Sequence, residues 1–246
     1  MHDRGAQLLR GSHWVTPYHP TVDSRASLSD SYHWGVTSPV DAERAALCDL
    51  LEKLGPDAPT LCEGWDTRDL AAHLVVRGRQ PKAWAGIAVP QLGRLADSAM
   101  ASQAGRPYEE LVAAVRAGAP RWSPFGLPGV GDALNLLEYV IHHEDVRRAQ
   151  PGWGPRAVPR SLADRVWTAV RLTGRAAYRK APDGVRLHRA GTDATATVKS
   201  GKLIVTVVGD PVELALFQSG RQRVARVDLS GDDAAIARLL AASLRL

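Results

Sequence analysis

Cysteine is scarce: the 246 residues contain two, Cys48 and Cys62. Two thiols are too few to staple a secreted scaffold of this length, and they do not form a Cys-x-x-Cys pair. A reduced pair in a cytosolic protein is therefore expected. Phenylalanine is equally scarce, and aromatic residues total 6% although seven are tryptophan. No aromatic-basic interleaving and no nucleic-acid-binding module can be read, which argues against a nucleic-acid partner. No apolar run reaches about 18 residues, so no membrane-spanning helix is expected. The N-terminus lacks the apolar stretch of a secretion signal. Cytoplasm follows by elimination.

What is present divides the chain. Hydrophobic residues make up 45%, enough for a real core, and the formal charge is +5. That charge is uneven. Residues 1–38 hold three basic and three acidic groups, residues 39–150 hold 12 and 15, and residues 151–246 hold 16 and 8. The asymmetry suggests two units with different surfaces. Residues 1–38 are rich in Ser, His, Pro and Gly and show no sustained period, so a poorly ordered extension is expected there.

From Pro39 the pattern is helical. Leu47, Leu50, Leu51 and Leu54 recur at amphipathic spacing. Gly55-Pro56 ends that segment. Asp66 can cap a second helix, with Asp69 at its third position. Further helices are expected near 90–104, 107–118 and 131–149. Residues 39–150 thus read as a helical bundle. Residues 151–246 read as an α+β unit: a helix over 159–179, a hairpin turning at Ser200-Gly201, a short helix after Gly209, a strand over 223–231, and a terminal helix capped by Asp232 or Asp233. The fold class expected is an α bundle followed by a small antiparallel-sheet domain.

The stretch "LEYVIHHEDV", residues 137–146, carries the chemistry. Asn135, Glu138, His142 and Asp145 are spaced three, four and three, which on a helix makes one stripe among aliphatic residues. Glu138 and His142 can converge as a two-ligand metal clip. His73, in "DLAAHLVVR", sits on the apolar side of its helix and is the candidate third ligand; the alternative is a hydrogen-bonded core histidine. Two imidazoles and a carboxylate leave positions open for water or substrate. His143 is expected on the exposed side, and Glu144 and Arg148 as a surface ion pair.

"LCEGWDTRDLAAHLVVRGRQP" and "EYVIHHEDVRRA" resemble the two signatures of the mycothiol-dependent maleylpyruvate isomerase family, whose bundle belongs to the DinB-like superfamily. The likeness is greatest to an actinobacterial subgroup and covers roughly residues 38–150. "GDPVELALFQSGR" resembles the family's smaller α/β domain. The resemblance implies a four-helix bundle holding a divalent metal, commonly zinc, by His73, Glu138 and His142. It also implies mycothiol as a low-molecular-weight thiol cofactor and a small electrophile as substrate, in an isomerisation or an S-transfer. Asn135 and Asp145 are expected behind the ligands, Asp145 orienting one of them or accepting a cofactor proton. A non-catalytic metal-binding sensor or ligand-binding module is the alternative. There a fourth protein ligand, such as His143 or Asp145, would close the site.

Overall fold

The computed structural model describes residues 38–80, 93–126 and 130–244, all within one compact unit. The expectation for residues 1–38 lies outside the described residues, Ser38 excepted. Helix α1 is Pro39–Leu54, started by Ser38, whose side chain accepts from the Asp41 amide. Helix α2 is Thr67–Arg79. Its Asp66 cap and Asp69 form a reciprocal capping box, which satisfies two free helix-end amides and fixes where α2 begins. Helices α3 (Gly93–Ala104) and α4 (Tyr108–Arg116) follow, then α5 (Val130–Arg148) and α6 (Arg160–Ala177). Helix α1 packs on α4 and α5, α2 on α3 and α4, and α5 on α6.

The C-terminal part is a four-stranded sheet with helices. Its strands are β1 (Gly184–Arg189), β2 (Thr195–Lys199), β3 (Ile204–Gly209) and β4 (Asp228–Ser230). Helix α7 (Pro211–Gln218) precedes β4 and α8 (Asp233–Ala241) follows it. The helical region followed by a small sheet agrees with the expected class. The hairpin does not. Strands β2 and β3 do not pair; β1 lies between them, antiparallel to β2 and parallel to β3. The sheet is therefore mixed, not antiparallel. Period-two alternation marks a strand but says nothing of its partner. Arg186, His188 and Arg189 also mask the buried Val185 and Leu187 that make β1 a strand. Helix α6 lies against β2 at Gly174, where a Cβ would overlap Val198.

One hydrophobic core runs from the bundle into the sheet, from Leu47, Leu70 and Val140 to Val170, Val205 and Leu214. Helix α5 is central to it. From Asn135 to Arg148 it has no exposed face, because the bundle covers one side and the C-terminal part the other. Its polar residues must therefore find partners inside.

Two expectations are corrected on that ground. His143 is buried, not exposed, and its Nδ1 lies 2.9 Å from Glu43 Oε1. Glu144 and Arg148 are not a surface pair: both are buried, with Arg148 Nε 2.7 Å from Glu144 Oε2. Arg148 also donates to Glu213 on α7 at 2.6 Å and to the Val224 carbonyl at 2.7 Å. Arg156 joins Glu144 to Glu43. A buried ionic network thus ties α1 and α5 to the C-terminal part.

Burial opposes ionisation of Glu43, but hydrogen bonds from His143 and Arg156 outweigh it and hold the carboxyl below its ordinary value of 4.5. Glu144 is lowered likewise: burial opposes, and Arg148 and Arg156 prevail. A depressed folded-state pKa stabilises the fold fully above the unfolded value, and that contribution is lost as pH falls through the folded one. Thermal midpoints are expected to be flat between about pH 6 and 8 and to drop steeply below about pH 4.5. A scan by differential scanning calorimetry checks this; a midpoint unchanged down to pH 3 would contradict it.

Candidate metal centre

The capping box fixes the start of α2 and so the face that carries His73. His73 and Arg77 are i, i+4 and look across at α5. There Glu138 and His142 are again i, i+4. His73 Nε2 lies 2.9 Å from Glu138 Oε1, and His142 Nε2 lies 3.3 Å from the same oxygen. The two imidazole rings meet edge to face with centroids 5.3 Å apart. All three donor atoms lie within 4.8 Å of one another.

Each donor is held from behind. Asp145 Oδ2 is 2.9 Å from His142 Nδ1. Arg77 Nε is 3.3 Å from Glu138 Oε2, and its NH1 donates to Asn135 Oδ1 at 2.7 Å. Asn135 in turn donates to the Phe125 carbonyl. Trp65 packs its ring 5.1 Å from that of His73. Asn135 and Asp145, both expected near the ligands, are buried and do not line the adjoining cavity; Asn135 orients Arg77, and Asp145 faces His142.

Charge sets the protonation. Burial opposes ionisation of Asp145, but hydrogen bonds from His142 and Arg221 pull its pKa down to about 2. Glu138 is lowered well below the usual carboxylate range: burial opposes, and Arg77, His142 and His73 prevail. Both groups are carboxylates at neutral pH. Burial works against an imidazolium at His142, but Asp145, Cys62 and Glu138 raise its pKa well above the ordinary value. Without a cation this favours the imidazolium, whose Nδ1 faces Asp145 and whose Nε2 faces Glu138. A cation and that Nε2 proton are direct competitors.

The donor set fits a divalent metal. A tetrahedral ion with bonds of about 2.0–2.1 Å spaces its donors roughly 3.3 Å apart. The distances from His73 Nε2 and His142 Nε2 to Glu138 Oε1, 2.9 and 3.3 Å, are near that value. A carboxylate behind a ligating imidazole fixes its tautomer and raises its basicity. Among the described residues, no fourth His, Cys or carboxylate belongs to this set. Its open side faces a cavity of about 1460 Å³, walled by Trp65, Leu137 and Ile141 from the bundle and by Ser219, Val224 and Leu240 from the C-terminal part.

Three further neighbours surround the set: Arg77 and Cys62, which have no site role in the sequence reading, and Arg221, which reads there as a surface arginine or an anion contact. Arg77 carried a signal, its i, i+4 spacing from His73. Cys62 and Arg221 have none: both come from loops, Cys62 lying 80 residues from His142 and 83 from Asp145, and Arg221 lying 76 from Asp145. Cys62 Sγ is 3.3 Å from Asp145 Oδ2 and 3.9 Å from His142 Nδ1. Cys62, His142 and Asp145 thus form a second possible donor set on the other edge of the same imidazole. There, however, the Arg221 guanidinium already binds both Asp145 oxygens and approaches Sγ at 3.6 Å. A fixed cation in that place disfavours a second one. In the set built on His73 the shared oxygen is Glu138 Oε1, and the Arg77 guanidinium approaches the other one, Oε2, at 3.3 Å.

Residues 39–147 match the family model for the mycothiol maleylpyruvate isomerase N-terminal domain. Among solved structures, the fold is similar to that of the mycothiol-dependent maleylpyruvate isomerase. The TM-score is 0.53 at 15% sequence identity, over 78% of this chain and 90% of that one. A histidine-to-alanine mutant of that enzyme matches with a TM-score of 0.52 at 15% identity, over the same shares. No curated protein sequence matches significantly. The shared fold covers more of the chain than residues 39–147, so the likeness reaches into the C-terminal part.

Proposed function

We propose, from the premise that residues 39–147 form a mycothiol maleylpyruvate isomerase N-terminal domain, that this protein is a metal-dependent thiol enzyme. His73, Glu138 and His142 hold one divalent cation, zinc before the other ions that N/O donors accept. The adjoining cavity takes mycothiol and a small electrophile. A bound cation supplies Lewis acidity, which lowers the pKa of a coordinated thiol toward neutrality.

The chain's own residues do the rest. Asp145 keeps the Nδ1 proton on His142, so that Nε2 is the nitrogen presented to the site. Arg77 neutralises the far oxygen of Glu138 and leaves Oε1 as the donor. Trp65, Leu137 and Ile141 keep water from one flank. In the reaction an S–C bond forms at the electrophilic carbon. In an isomerisation that bond breaks again after rotation about the former double bond and the thiolate is released; in an S-transfer to an aromatic halide it persists and halide leaves.

One observation carries this reading: two imidazoles from separate helices aim at a single carboxylate oxygen beside a large cavity. The side left open by protein supports catalysis over a closed structural site. The test is an assay of zinc-loaded full-length protein with mycothiol and with glutathione, against maleylpyruvate and against an aromatic halide acceptor. Turnover with mycothiol, lost on chelation, is expected. Binding of metal and thiol without turnover on any electrophile would leave a binding module instead.

A further inference from the structure

Arg221 belongs to the turn after α7, in the C-terminal part, yet its guanidinium reaches α5. Nε donates to Asp145 Oδ1 at 2.9 Å and NH2 to Asp145 Oδ2 at 2.6 Å. NH1 is itself held by the Ser219 carbonyl at 2.8 Å. The fork is thus anchored at one end and bidentate at the other, the geometry that fixes a carboxylate in plane. Asp145 has no exposed surface, and its Oδ2 is the atom that meets His142 Nδ1. On the sequence alone Arg221 reads as a surface arginine or an anion contact. With both Asp145 oxygens engaged, its fork is committed to the protein.

We infer that Arg221 is a positioning residue: through Asp145 it sets the plane of the His142 ring, so the C-terminal part completes the metal site in the bundle. The inference rests on the proposed metal site. A carboxylate free to rotate at Asp145 would let the His142 ring turn with it and carry Nε2 away from the point it shares with His73 and Glu138. Helix α5 cannot supply this restraint, since Asp145 and His142 are both on it and turn together. The restraint must come from a separate element, and among the described residues Arg221 is the charged group on Asp145 that comes from one.

The experiment compares full-length wild type, R221A, R221K and, as a control for loss of an exposed charge on α6, R175A. Zinc affinity is measured by chelator competition, and the visible spectrum of the cobalt-loaded protein reports ligand geometry. R221A is expected to bind zinc about tenfold to 100-fold more weakly, the usual cost of losing an outer partner of a ligand. R221K, which keeps charge and one hydrogen bond, should fall between, and R175A should match wild type. The cobalt spectrum should change in R221A and be partly restored in R221K. Should R221A fail to fold, R221K decides alone: weakened zinc binding supports the inference and unchanged binding overturns it. Zinc affinity in R221A within twofold of wild type overturns it, even if the thermal midpoint drops, because that is a packing role only. If wild type binds no zinc, the proposed function fails. The ring is then read without metal: a downfield Nδ1 proton resonance of His142, present in wild type and lost in R221A, supports the inference, and its persistence overturns it.

Discussion

Alanine at His142 is expected to abolish stoichiometric metal binding and, with it, turnover. His142 is the one residue shared by both possible donor sets, Nε2 serving His73 and Glu138 and Nδ1 facing Cys62 and Asp145. Removing an outer partner of a ligand costs about 10- to 100-fold in metal affinity, and removing a ligand should exceed that. Two further substitutions separate the sets. H73A should match H142A in lost affinity, because Nε2 of His73 faces the same Glu138 oxygen at 2.9 Å. C62S should retain the metal with near wild-type affinity, because Sγ lies on the far edge of the His142 ring. Elemental analysis after dialysis, with chelator competition, measures all three. Metal retained in H73A and lost in C62S would move the site to the Cys62 edge.

Glutamine at Glu144 is expected to destabilise the fold by about 3–5 kcal/mol, the cost of breaking a buried ion pair from one side. Glu144 has no exposed surface and accepts from Arg147, Arg148 and Arg156. A neutral amide leaves three guanidinium groups short of one compensating charge, Arg148 fully buried and Arg147 and Arg156 half-buried. For a unit of this size the thermal midpoint should fall by about 6–20 °C. E110Q is the control, since Glu110 pairs with Arg106 at 3.0 Å on the surface and such pairs contribute about 0–1 kcal/mol. Calorimetry on both variants checks the contrast. Equal small losses would mean that the network is not what joins α5 to the C-terminal part.

Helices were legible because period and punctuation agree. Ser38 and Asp66 cap, Gly55-Pro56 stops, and leucines recur at helical spacing on α1. The three converging residues were legible for a related reason. A carboxylate and an imidazole at i, i+4 share a face on any helix, whatever surrounds it. The environment of α5 was not legible. Amphipathic reasoning assumes a solvent side, and α5 has none from Asn135 to Arg148: α1 meets His143 through Glu43, and the C-terminal part meets Glu144 and Arg148. Strand pairing failed in the same way. The alternation in β2 and β3 is real, but β1, interrupted by arginines, comes between them. Cys62 and Arg221 lie outside the helices and meet α5 only through tertiary packing, which no local pattern encodes.

The most direct measurement is zinc K-edge X-ray absorption on the full-length protein loaded with one equivalent of zinc. A first shell of nitrogen and oxygen at about 2.0–2.1 Å, with the outer scattering of two imidazoles and no sulfur, is the expected result. Sulfur at about 2.3 Å would place the ion on Cys62 instead, and failure to take up one equivalent would end the metal reading of His73, Glu138 and His142 altogether.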